Sequence, residues 1–175
     1  LKARSEAQRL SAGQVNWHLH TVDLPLRPLK SLRKQSVILA LKLLGRATLK
    51  RRDRGAVSAA RARLLWACDA RSEQGHHART FSIHSIAVGP LVFMGFEGEL
   101  FARYQLEIEE AHPEVVVCGL ANGCIGYVPT ADEYERGGYE VDEAHKVYPG
   151  TRGVGPESED IIRAAVEDAL MRLSD

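Results

Sequence analysis

Gly89 and Pro90 separate two strand-like runs, and this constrains the fold more than any other feature of the chain. Residues 80–88 (TFSIHSIAV) alternate apolar and polar, the period of a half-buried strand. Residues 91–94 (LVFM) are a short apolar run that reads as a buried strand. A tight Gly-Pro turn between them makes the two a hairpin, so a purely parallel sheet is ruled against. Residues 115–120 (VVVCGL) supply a third strand rich in β-branched side chains. Helical patterns surround these strands. The expected fold class is α/β: a mixed-sheet layered domain with flanking helices.

The remaining chain fills in that plan. Residues 2–13 read as helical. Residues 15–22 (VNWHLHTV) alternate loosely as a strand, with His18 and His20 on one side and Trp17 and Leu19 on the other. Pro25 and Pro28 keep the next stretch extended. Ser31 is a candidate cap for a helix that starts near Leu32 and closes at Gly45. Residues 46–54 form a charged connector, and residues 57–70 a second helix. Residues 72–77 are a turn. Asn122-Gly123 is a turn signal, residues 125–128 are extended, and Thr130 to Glu133 fits a capping box for a short helix. Gly137-Gly138 ends that helix, and residues 143–156 read as loop. The last helix begins at Pro156 and runs to about Leu173, with Ile161, Ile162, Ala165, Val166, Ala169 and Leu170 as a broad apolar stripe.

With 175 residues, 45% of them hydrophobic, the chain can build one substantial core. No stretch has the length of a membrane span. Three cysteines without a tight pair argue against a disulfide framework or a structural zinc site. Cys118 reads as a small buried hydrophobe. Net charge is zero, but residues 1–75 carry +11 and residues 76–175 carry −11. Either the halves neutralise one another within one fold, or the basic half meets an anionic partner. Nucleic acid is not the expected partner, because aromatic residues do not interleave with the basic ones.

Glu99 is the first candidate site residue. It follows Gly95 and Gly98 at the carboxyl end of a strand, where open α/β sheets place their sites. It is also expected near a helix start, where the dipole favours a carboxylate. An ordinary acidic first turn would have the same composition. His18 and His20 can share a metal by spacing, but without a third ligand nearby they read as polar or half-buried histidines. The segment 121–140 gathers Tyr127, Tyr134 and Tyr139 around a well-specified loop.

GFEGELF (95–101) and GLANGCIGYVPTADEYERGGYE (119–140) together resemble the later part of the catalytic domain of neutral, non-lysosomal ceramidases and their shorter bacterial relatives. The resemblance treats residues 1–175 as a partial ceramidase-like domain and is strongest over residues 78–175. It implies a zinc-dependent hydrolase of an amide bond, acting on an N-acylated lipid such as ceramide and so in contact with a membrane surface. It places metal ligands at Glu99 and Tyr127 and structural turn residues at Gly98 and Asn122. Tyr139 becomes the residue that binds and orients the scissile amide. The family's usual proline before Gly-Glu is replaced by Glu97.

In that scheme zinc activates a water for attack on the amide carbonyl, and Tyr139 donates to the developing oxyanion. The family's two zinc histidines lie upstream of the matched region, and this chain carries neither motif. The resemblance therefore implies an upstream polypeptide or second chain that completes the site. The alternative is a catalytically inactive relative that binds lipid or carbohydrate, or serves a structural role. Localisation is not legible from the first residues.

Overall fold

The computed structural model describes residues 13–49, 54–69, 75–146 and 152–174. In chain order the strands are β1 (Val15–Pro25), β2 (Ala78–Val88), β3 (Leu91–Phe96), β4 (Glu99–Leu100), β5 (Val115–Cys118) and β6 (Tyr127–Val128). The helices are α1 (Leu29–Leu49), α2 (Arg54–Asp69), α3 (Ala102–Ala111), α4 (Glu133–Arg136) and α5 (Ser158–Ser174). Residues Tyr139–Glu143 form a π turn and Ala144–Lys146 a 3-10 turn.

The principal sheet has the order β1-β2-β3-β5. β1 pairs antiparallel with β2, and β2 with β3, while β3 and β5 run parallel. Gly89, at φ 59°, makes the turn between β2 and β3. α3 supplies the crossover that a parallel β3–β5 pair requires. A second, two-stranded sheet pairs β4 with β6 in parallel. The fold is thus a mixed α/β domain with flanking helices, as the hairpin and the third strand require.

One face of the principal sheet is the core. Leu24 from β1, Phe81 and Ile83 from β2, and Met94 and Phe96 from β3 are fully buried there. α5 lies on this face with Ile162, Ala165, Val166 and Ala169, recurring every three or four residues along one side of the helix. Tyr104 and Ile108, one turn apart on α3, close the same core. Burying each large aliphatic or aromatic side chain stabilises the fold by roughly 1.5–3 kcal/mol relative to exposure.

The α1–α2 pair is inserted between β1 and β2 and ties back through charged residues. Arg63 on α2 pairs with Glu143, and Trp66 meets the ring of His145 edge-on at 5.3 Å between centroids. Arg27 donates to the Val141 carbonyl at 2.6 Å and pairs with Asp142 at 3.4 Å. These contacts join the basic half of the chain to the acidic half, so part of the charge asymmetry is neutralised within the fold.

Several boundaries differ from the sequence reading. Gly95 lies inside β3, because its pairing with His84 and Cys118 continues the ladder past Met94. Helix α3 starts at Ala102, so Glu99 belongs to a strand and not to a helix start. Helix α1 begins at Leu29 and passes both Ser31 and Gly45. Asp132, not Thr130, precedes α4, and no side chain caps it; Thr130 donates its hydroxyl to the Asp132 carboxylate instead. Cys118 is half-buried on the outer face of the sheet. Helical turns occupy residues 139–146, and α5 starts at Ser158, two residues after Pro156. The helix read at residues 2–13 falls almost wholly outside the described residues, as do parts of the connectors read at 46–54, 72–77 and 143–156.

Candidate functional site

The site candidates meet at the short β4–β6 ladder. Glu99 and Tyr127 are Cα partners in it, and Leu100 and Val128 are the next pair. The Glu99 amide donates to the Gly126 carbonyl at 2.9 Å, and the Phe101 amide to the Val128 carbonyl at 3.2 Å. The turn after β3 is fastened to the turn after β5 by three further bonds. The amides of Leu120, Ala121 and Ile125 donate to the carbonyls of Gly98, Phe96 and Glu97 at 3.0, 2.9 and 2.9 Å. Two loops separated in sequence thereby become one platform.

Gly98 is required by this close approach. A Cβ there would lie 3.1 Å from both the Gly126 carbonyl oxygen and Val128 Cγ2. Asn122 adopts a left-handed φ of 63°, a conformation asparagine tolerates well. Leu120 adopts φ 55°, which is unusual for a bulky residue and carries local strain. Gly98 lies in the bend between β3 and β4, and Asn122 in a bend after β5.

The Tyr127 phenol lies beside the Glu99 carboxylate across this ladder. Hydrogen bonding to that carboxylate, followed by its charge, favours the neutral phenol and raises it above its ordinary pKa. Glu140 and Tyr139 lie near enough to push in the same direction. Phe101 braces the Tyr127 ring edge-to-face, with centroids 6.4 Å apart. Tyr139 opens the π turn and is 54% exposed, so its side chain stands at the rim of the platform.

The zinc assignment does not stand. Among the described residues, no three His, Cys, Asp or Glu side chains come together in a group able to hold a metal ion. His18 and His20 supply no replacement. Their ring centroids are 6.1 Å apart, and His20 Nδ1 faces the Asp168 carboxylate of α5 at 3.2 Å. Glu99 and Tyr127 therefore meet across the ladder, and among the described residues no group of His, Cys, Asp and Glu completes a zinc centre there.

Two residues join the neighbourhood that motif reading left aside. Glu140 adds a second carboxylate near Tyr127, and its place beside Tyr139 was the only sequence signal for it. Glu97, at the position of the expected proline, accepts the Ser82 amide at 3.1 Å and fills the space that a side chain at Gly123 would need. It ties the platform to β2. Comparison with family models, curated proteins and solved structures returns no match.

Proposed function

We propose that this chain is a binding relative of the ceramidase-like scaffold, one that holds the polar head of an N-acylated lipid without hydrolysing its amide. The observation that carries this reading is the convergence of Glu99 and Tyr127 as strand partners, carboxylate beside phenol, on a half-exposed platform. A carboxylate accepts hydrogen bonds from amide N–H and hydroxyl groups, and a phenol both donates and accepts. Tyr139, exposed beside them, has a hydroxyl that suits the amide carbonyl. The acyl chain stays in its membrane or micelle. Among the described residues no helix is long and apolar enough to cross a membrane, so contact at the surface is the mode this reading uses.

Titration of the chain with a short-chain ceramide in detergent micelles, followed by calorimetry and by assay of released fatty acid, tests the proposal. Saturable binding without fatty acid release is expected, weakened about tenfold in Glu99→Gln and in Tyr127→Phe, which corresponds to the loss of one charge-assisted hydrogen bond. Equal binding by wild type and both variants rejects the site. Fatty acid release that disappears in Glu99→Gln rejects the non-catalytic reading in favour of amide hydrolysis.

A further inference from the structure

The principal sheet has helices on one face, and among the described residues the other face stays open at one end. Trp17 is 74% exposed there, Val15 58%, Leu19 45% and Ile86 43%, with Val88, Phe93 and Val116 each more than a third exposed. An antiparallel sheet with one solvated face normally alternates apolar and polar, whereas apolar residues on both faces mark a sheet covered twice. Here the outer face is apolar at this end of the strands, with Val15, Trp17, Ile86, Val88, Phe93 and Val116 on it. From these exposures the patch measures on the order of 600 Å², at the top of the range for the largest patch on a monomer. It approaches the roughly 800 Å² that each partner of a standard stable interface contributes.

The pairing register arranges these side chains in transverse rows. Trp17, Ile86, Phe93 and Val116 form one row across all four strands. The next row is Leu19, His84, Gly95 and Cys118. Neither row contains a lysine, arginine, aspartate or glutamate. The first row alternates in size in a way that matches its own reverse. When the first row is reversed against itself, Trp17 meets Val116 and Phe93 meets Ile86. In the second row Gly95 is buried, with the Ala121 methyl packed where a side chain at Gly95 would lie, so the open patch ends there. In both pairs of the first row a larger side chain meets a smaller one, the condition under which two layers interdigitate. A two-fold axis parallel to the strands, between β2 and β3, performs this reversal, and such an axis generates a closed dimer. Zero net charge removes the overall repulsion between two copies.

We infer that this face packs against the same face of a second copy of the chain, sheet on sheet, with the Trp17–Val116 row reversed on itself. Stacked sheets lie about 10 Å apart, close enough for these rows to intercalate. The inference goes beyond the lipid-head reading and does not depend on it.

Sedimentation equilibrium of the full chain tests the dimer. Wild type is expected to dimerise, with Trp17 emission shifting to the blue as concentration rises; Trp66, 2% exposed, gives a constant background. Phe93→Arg and Trp17→Arg should each weaken the dimer at least about tenfold, with circular dichroism and melting unchanged because both side chains are exposed. Ile86→Phe alone should weaken it by setting phenyl against phenyl. The exchange Ile86→Phe with Phe93→Ile should restore affinity to within about threefold. A wild type that stays monomeric at every concentration overturns the inference, including one that is captured instead by vesicles or by another polypeptide. A dimer indifferent to both arginine variants overturns it as well, and an exchange that fails to restore association overturns the reversed stacking.

Discussion

Glu99 and Tyr127 are backbone partners in the β4–β6 ladder, and the Glu99 carboxylate raises the pKa of the Tyr127 phenol beside it. The backbone pairing brings the two side chains together in a ladder only two residues long.

Ionising Tyr127 places a phenolate beside a carboxylate, so its pKa lies above the ordinary tyrosine value. Replacing Glu99 with glutamine removes the charge and exchanges a charged acceptor for a neutral one. The Tyr127 midpoint in an NMR titration should then move down toward the ordinary value. A midpoint that does not move in Glu99→Gln would show that the pair is not coupled.

Gly98→Ala tests the close approach. Its Cβ would press on the Gly126 carbonyl and on Val128, which is fully buried. Overpacking of this kind costs about 1–3 kcal/mol. Urea denaturation should show that loss, and the Tyr127 titration of the variant should lose its upward displacement as the ladder opens.

Leu120 combines a left-handed backbone with a half-exposed side chain. Leu120→Asn should be neutral or stabilising by up to about 1 kcal/mol, because asparagine tolerates that conformation. Leu120→Val should destabilise, because β-branching makes it worse. Thermal melts of the two variants should fall on opposite sides of one another, with Asn above Val.

His145 is buried against Trp66, and burial, then Lys146 and Arg27, lowers its pKa to about 4; Glu143 and Asp142 oppose this. The unfolded chain, with an ordinary histidine pKa near 6.5, binds the proton more readily than the folded one. The contribution is therefore complete above about pH 6.5 and is lost as pH falls toward 4, to the extent of a few kcal/mol. Melting temperature should drop through this window, and His145→Gln should flatten the drop.

The sequence by itself determined the elements whose signal is local. The β2–β3 hairpin follows from alternation on either side of Gly89-Pro90, β5 from its run of valines, and α5 from an apolar stripe at helical spacing. Two faces of β1 were legible as well: Trp17 and Leu19 point away from the core, while His18 and His20 point toward α5. Glu99 and Tyr127 were singled out by motif, and Gly98 by its turn. Tertiary structure decided what these residues do together. Whether Glu99 begins a helix or pairs in a strand depends on the Gly126 carbonyl, which lies 27 residues away and leaves no mark on local propensity. Whether a carboxylate and a phenol bind a metal or each other depends on which third groups arrive. That is a property of three-dimensional convergence, and among the described residues no group of three His, Cys, Asp or Glu side chains forms. The open sheet face is likewise invisible in any single strand, because its apolar rows run across the chain and exist only once the register is set.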